Sequence, residues 1–211
     1  MKLPIHLENR DQLGARIVSP SAGRNKEAIG ALLADNLPKS AKVFEVASGS
    51  GEHGLHICQV RPDITWQPSD PDESSRESQN DWAKDRPGQI LASLPINTMD
   101  MKWWNNLSDF DSIFCANMIH IAPWAAACGL AEGAKHVLKE GGAVFLYGPF
   151  LEGGETAQSN LEFDRNLSKK NPEWGVRKLS AVKHIFSEQG FNLSARFVMP
   201  KENRLLIFTN S

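Results

Sequence analysis

The stretch Val43 to Ile57 restricts what this chain can fold into more than any other. Val43-Phe44 and Val46-Ala47 form a short, bounded apolar run, the pattern of a buried strand. The run breaks into Ser48-Gly49-Ser50-Gly51, after which Leu55 and Ile57-Cys58 resume an apolar spacing that suits a helix. A strand, a glycine turn and a helix start in this order build a nucleotide-type site. Glycine lets the backbone reverse tightly and lets a ligand approach where a Cβ would stand. The helix start turns unpaired N–H groups toward that ligand.

The string Gly49-Ser50-Gly51-Glu52-His53-Gly54 satisfies G-x-G-x-x-G, which suits NAD, FAD or S-adenosylmethionine equally. Glu45 discriminates among them. A carboxylate at the end of the strand repels a pyrophosphate and attracts the ammonium and sulfonium of S-adenosylmethionine. Asp70 follows the next apolar stretch, Ile64-Thr65-Trp66, about 20 residues past the turn, where an acidic residue takes ribose hydroxyls.

Glu45, Gly49, Gly51 and Asp70 together resemble the first two motifs of class I S-adenosylmethionine-dependent methyltransferases. Many of those proteins carry another glycine where this chain has Ala47. A narrower resemblance runs through nearly the whole chain. It rests on Ser19-Pro20-Ser21-Ala22-Gly23-Arg24-Asn25-Lys26, Ala47-Ser48-Gly49-Ser50-Gly51-Glu52-His53, Asn117-Met118-Ile119-His120-Ile121-Ala122-Pro123-Trp124 and Tyr147-Gly148-Pro149-Phe150. Ser159-Asn160 with Phe163-Asp164, Trp174-Gly175-Val176-Arg177, and Met199-Pro200 with Asn203 extend it. By these segments the chain is similar to the methyltransferase-like "domain of unknown function 938" family, in which Ala47 is the usual residue. The resemblance implies an α/β fold with one Rossmann-like, seven-stranded sheet. That sheet is mostly parallel, with an antiparallel last strand and helices on both faces. It implies S-adenosylmethionine as cofactor and names no substrate.

The totals narrow the partners. The chain has 211 residues, 41% of them hydrophobic, which suits one sizeable α/β domain or at most two small ones, and it reads as a single domain over 1–211. A net charge of −2 gives no global attraction to nucleic acid or to an anionic membrane. The three cysteines, Cys58, Cys115 and Cys128, have no metal-ligand spacing and read as reduced thiols of a cytoplasmic protein. No His/Cys/Asp cluster has metal spacing. The most apolar stretch, Ile113 to Ala131, is broken by Asn117, His120 and Pro123, so it is no membrane span.

In chain order, residues 1–20 look irregular and Ser19-Pro20-Ser21 signals a helix start. A helix follows to Leu37, and residues 1–40 form an N-terminal cap segment. Arg24 and Asn25 either face a substrate or lie on a solvated helix face. Strands are expected at about 42–48, 64–69, 90–95 and 111–117. The fifth covers Ala143 to Leu146, and a terminal hairpin follows at 191–199 and 204–209. Helices are expected at 52–60, from Pro71 to about Lys84, from Pro123 to about Leu138, at 157–170 and at 179–189.

On the methyltransferase pattern, Asp100 meets the adenine amino group and Met101 packs on the ring; read locally, Asp100 is a helix N-cap. His53 contacts the cofactor carboxylate or caps its helix. Asn117 and His120 follow the fourth strand, and parallel strands gather ligand groups just beyond their carboxyl ends. His120 is the candidate general base, because an imidazole titrates near neutral pH; the alternative is a structural histidine. Asn117 and Tyr147 are hydrogen-bonding candidates beside it. Residues 150–178 read as a substrate lid carrying Asn160, Asp164, Trp174 and Arg177. Arg177 suits a carboxylate or phosphate, or a salt bridge to Asp164 or Glu162. These readings point to methyl transfer onto a small-molecule acceptor. The alternatives are a non-catalytic S-adenosylmethionine sensor and an NAD-dependent reductase, which Glu45 opposes.

Overall fold

The computed structural model describes residues 10–210. Contacts divide the chain into two compact units, one ending at Ile96 and the other beginning at Asn97.

The first unit opens with a hairpin, β1 (Asp11–Leu13) and β2 (Arg16–Val18), turning on Gly14 at φ +66°. Residues 11–18 are therefore not irregular; 1–9, the rest of that expectation, lie outside the described residues. The hairpin is too short to carry a periodic signal. What holds it is Arg16, whose guanidinium donates to Asp81 and Asp85 at 2.8 Å and lies 4.3 Å over the Trp82 ring. Helix α1 (Pro20–Asn36) starts with Ser19 as N-cap and Pro20 at the first position, where a missing N–H costs nothing. It buries Ile29 and Leu33.

Strand β3 (Lys42–Val46) is buried from Val43 onward, as a parallel strand covered on both faces must be. Helix α2 (Glu52–Val60) follows the glycine turn and has the expected bounds. Strand β4 (Thr65–Pro68) pairs parallel with β3, Phe44 opposite Gln67 and Glu45 opposite Pro68. Helix α3 (Glu73–Ala83) is capped by Asp72, whose carboxylate accepts Ser75 N–H at 2.8 Å. The expected third strand is reduced to two parallel bridges, Trp66 to Ile90 and Ser69 to Leu94. Pro95 and the short apolar run leave too few donors for a longer ladder.

In the second unit, β5 (Phe110–Ala116) pairs parallel with β6 (Leu138–Pro149), Cys115 opposite Leu146 and Ala116 opposite Tyr147. Helix α4 (Trp124–Val137) connects them. β6 begins five residues earlier than expected because Leu138 already pairs with Phe110; residues 139–142 then bulge before the register resumes at Ala143. Helices α5 (Gln158–Lys170) and α6 (Leu179–Glu188) precede the terminal hairpin, β7 (Phe191–Met199) and β8 (Asn203–Asn210). The strand order here is β5-β6-β8-β7, and β8 alone runs against the others. The fold class is the expected α/β one, a mostly parallel mixed sheet flanked by helices, with the last strand antiparallel. Phe186 of α6 stacks on Phe208 at 4.4 Å and meets Phe191 edge-on at 6.3 Å, fixing α6 on the hairpin.

Residues 101–106 form turns rather than a helix, so Asp100 caps no helix. This segment crosses α4 at two glycines. A Cβ on Gly129 would collide with the Thr98 carbonyl oxygen, and one on Gly133 with the Trp103 ring. The indole N–H of Trp103 donates to Gly129 O at 2.8 Å. Gly129→Ala is therefore expected to lower stability by about 1–3 kcal/mol through overpacking. Gly23, exposed in α1 with nothing within 4 Å of a Cβ, should behave oppositely. Gly23→Ala is expected to gain about 0.5–1 kcal/mol. Urea denaturation midpoints of the two variants check both signs.

Candidate functional site

The glycine turn is held by bonds from within its own unit. Ala47 and Gly49 both adopt left-handed backbone, at φ +55° and +56°; the alanine bears that conformation although it has a Cβ. Ser48 N–H donates to Ser69 O at 2.8 Å, and Ser69 N–H donates back to Ser48 Oγ at 3.1 Å. Ser69 Oγ donates to Glu45 O at 2.7 Å. From α3, Gln79 Nε2 donates to Gly49 O and Ser78 Oγ to Ser50 O, at 2.8 and 2.7 Å. Gly51, at φ +92°, is the N-cap of α2, and a Cβ there would stand 3.0 Å from Gln79 Cα. Gly54 is needed for packing, since a Cβ would stand 2.5 Å from Trp66 Nε1. Gly49 differs: among the described residues its Cβ position is open except for one terminal nitrogen of Arg10 at 4.0 Å.

Both expected carboxylates border this turn. Glu45 is 2% exposed and accepts the Trp66 indole N–H at 2.9 Å. Burial pushes its carboxyl up to about 7, against the pull of that hydrogen bond. Asp70 accepts Gly49 N–H on one oxygen and Asp72 N–H on the other, both at 3.0 Å. Burial raises its carboxyl to about 6. Each oxygen keeps a lone pair for a hydroxyl donor.

A third carboxylate, Glu52, was not singled out by the sequence reading. It is buried and accepts Ser19 N–H at 2.7 Å and Ser50 Oγ at 3.0 Å, with Lys26 Nζ 4.0 Å away. It thus ties the start of α1 to the start of α2. Asn25, expected at a substrate, instead meets His53 Nε2 at 2.8 Å. Burial lowers His53 to about 4, so the ring is neutral at pH 7. Arg24 is exposed. The nearest sequence signal for this strut is the S-x-x-x-N-K spacing of α1, which marks a helix start and says nothing of a partner 26 or more residues away.

The second unit holds the other expected residues. Asp100 is exposed and accepts Asn97 Nδ2 at 3.1 Å, and Met101 is 90% exposed. Asn117 turns the chain at φ +62° after β5, and its N–H donates to Tyr147 O at 2.8 Å. His120 is 1% exposed, packs edge-on to Phe150 at 5.4 Å, and neither ring nitrogen has a hydrogen-bond partner. Burial and the nearby Arg177 charge lower it to about 3. So weak a base does not suit the general-base role; the ring fills the space that Gly148 leaves, since a Cβ on Gly148 would stand 2.5 Å from His120 Nε2 and 3.2 Å from Asn117 Oδ1. Tyr147 is buried, its hydroxyl accepting Asn203 Nδ2 at 2.9 Å.

In the 150–178 segment, the expected polar residues Arg177, Asp164 and Asn160 bond backbone groups. Arg177 donates to the carbonyls of Ile119, Ala122 and Glu173 at 2.7–2.8 Å, not to Asp164 or Glu162. Asp164 accepts Val176 N–H at 2.8 Å, and Asn160 donates to Glu202 O at 3.0 Å. Trp174 is half-buried. Among the described residues no group of three or more His, Cys, Asp or Glu is arranged to hold a metal, and no helix is long and apolar enough to cross a membrane.

Glu45 gives a signed pH test. Its carboxyl titrates higher folded than unfolded, so its contribution to stability is full below about pH 4.5 and is lost as pH rises through 7. Glu45→Gln is expected to be more stable than the parent at pH 8, by on the order of 1–3 kcal/mol. The difference should shrink toward zero near pH 4. Thermal or urea unfolding across that range reads it.

Comparison with known proteins follows this geometry. The family model described as "Protein of unknown function (DUF938)" matches residues 16–210. The fold is shared with solved methyltransferase structures. The pyocyanin biosynthetic protein PhzM superposes with a TM-score of 0.74 at 17% identity, over 91% of this chain and 59% of that one. An O-methyltransferase family protein from Burkholderia thailandensis gives 0.76 at 15% identity, over 88% and 56%. Human N-acetylserotonin methyltransferase, solved in complex with SAM, gives 0.71 at 14%, over 90% and 53%. The chain thus spans just over half the length of these proteins, and identities this low speak for fold alone.

Proposed function

The chain belongs to the DUF938 family, and from that premise we propose that it is an S-adenosylmethionine-dependent methyltransferase acting on a small-molecule acceptor. The observation that carries this reading is the pairing of buried Glu45 with Asp70 around a glycine turn open at Gly49. The residues fit the cofactor: an acidic pair bordering the turn suits an ammonium or sulfonium and ribose hydroxyls, and disfavours a pyrophosphate. The shared fold and the SAM complex of one structural neighbour support it. The same acidic pair weighs against the NAD-dependent reductase.

When bound, S-adenosylmethionine supplies a methyl group activated on a sulfonium, whose leaving group is neutral. No acid is then required of the protein, and alignment of the nucleophile supplies much of the rate. Glu45 and Asp70 hold the cofactor in this reading; Ala47, Gly49 and Gly51 shape the turn around it, and His53 orders the turn through Asn25. Asp100 and Met101 take the adenine end. Asn117, His120 and Tyr147 act on the acceptor by position, with His120 neutral. Residues 150–178 form the acceptor-side segment, where Trp174 offers a ring and Arg177, Asp164 and Asn160 stiffen the backbone. The protein acts as one domain in the cytoplasm. A sensor would keep the cofactor contacts and lack turnover.

Three outcomes test this. Calorimetric titration with S-adenosylmethionine and S-adenosylhomocysteine should show binding, weakened about 10-fold or more in Glu45→Ala and Asp70→Ala, with NADH giving none. Affinity for S-adenosylmethionine should fall as pH drops below 7, because protonation of Glu45 removes the charge that attracts the cation. Asn117→Gly keeps the left-handed backbone and removes the amide. It should lose about 10-fold or more in turnover on an acceptor found by screening metabolite extracts, with cofactor affinity retained. Unchanged turnover would remove Asn117 from the mechanism, and failure of the parent to bind either sulfur compound would sink the whole reading.

A further inference from the structure

Arg10 stands where the sequence reading placed nothing. It directly precedes β1, and among the described residues one of its terminal nitrogens is the only atom within 4 Å of the Cβ position on Gly49, at 4.0 Å. Its Nε is buried and has no hydrogen-bond partner among the described residues. A buried guanidinium N–H without an acceptor is costly, and such a group in a structured place calls for one. Asp70 is near enough for the Arg10 charge to oppose the burial that raises its carboxyl, but Asp70's hydrogen bonds go to Gly49 N–H and Asp72 N–H.

The position of Arg10 is set by the hairpin that follows it. The hairpin that follows it is clamped on α3: Arg16 reaches Asp81 and Asp85, Ile17 N–H donates to Ser78 Oγ at 2.8 Å, and Trp82 Nε1 donates to Ile17 O at 3.3 Å. The same α3 residue, Ser78, also donates to Ser50 O in the glycine turn. Hairpin and turn are therefore referenced to one helix, and Arg10 is brought to the turn by that shared support.

The turn needs a positive charge of this kind. In the turn before α2, Gly49 N–H is taken by Asp70 and Gly51 N–H by Ser48 O at 3.0 Å, so neither glycine amide is left for an anion. Glu45, Asp70 and Glu52 make the surroundings acidic. An anionic ligand group entering at Gly49 meets repulsion unless a cation stands there. We propose that Arg10 is the residue that receives the carboxylate of the cofactor's amino-acid end, through its guanidinium above Gly49. This rests on the S-adenosylmethionine reading given above.

The test compares two ligands that differ by one group, S-adenosylmethionine and its decarboxylated form, on the parent protein and on Arg10→Gln. Both are titrated calorimetrically, with thermal melting as the check on folding. Arg10→Gln should weaken S-adenosylmethionine about 10- to 100-fold, the range of a lost charge-assisted hydrogen bond, and change the decarboxylated ligand by less than about 2-fold. Arg10→Lys, which keeps the charge and loses the fork, should fall between. Equal weakening of both ligands would overturn the assignment, showing that Arg10 acts through Asp70 or through the fold. No weakening of either would overturn it too. In each of these cases the parent still binds, so the cofactor reading stands; a parent that binds neither ligand overturns both.

Discussion

A carboxylate buried at the end of a strand is the constraint from which the first unit is built. Glu45 loses most of its hydration, and one indole N–H from Trp66 replaces only part of it. That indole in turn lies where α2 approaches β4, and Gly54 has no Cβ because the ring occupies its place. Strand, helix and neighbouring strand therefore meet at one polar contact rather than at an apolar one. An apolar residue at position 45 would satisfy the core more cheaply, since burying an imperfectly paired acid opposes folding at neutral pH. Groups whose ionisation is opposed by the fold gather where a ligand completes their environment.

The turn beyond Glu45 is made rigid before any ligand arrives. Ser48 and Ser69 exchange backbone and hydroxyl bonds, Asp70 draws in Gly49, and Gln79 and Ser78 reach across from α3. Glu52 does for the start of α1 what the N3 glutamate of a capping box does from within its own helix, accepting Ser19 N–H from the start of α2. A loop ordered in this way loses little entropy on binding. It also explains why Ala47 can hold a left-handed conformation that costs roughly 1 kcal/mol: the hydrogen bonds on either side determine the backbone, and glycine's freedom is not needed there.

Much of this architecture was legible in the sequence, and the limits of legibility have a common cause. Helix α2 has the bounds read from its apolar spacing, and the glycine turn, Glu45 and Asp70 stand together as the motif spacing requires. The antiparallel last strand was expected from family likeness. The third strand shrank to two bridges because a short apolar run before Pro95 looks the same whether or not a neighbour pairs with it. The hairpin at 11–18 escaped because Arg16, Asp81 and Asp85, separated by more than 60 residues, hold it. Arg177 was read as an anion receptor or a salt-bridge partner, yet it bonds three carbonyls. Backbone acceptors are present at every position, so no residue pattern announces them.

The second unit repeats that economy in a way that bears on chemistry. Arg177, Asp164 and Asn160, the residues most easily imagined touching a substrate, are each committed to a backbone group. His120 is neutral and buried against Phe150 and Gly148. Side chains placed for acid–base work keep access to the atoms they protonate; these have instead been used to hold a loop, a turn and a helix in fixed positions. For the displacement proposed above, with its neutral leaving group, such use is reasonable. That reaction would ask for geometry more than for proton transfer, and a scaffold that fixes its loops through their own carbonyls keeps that geometry.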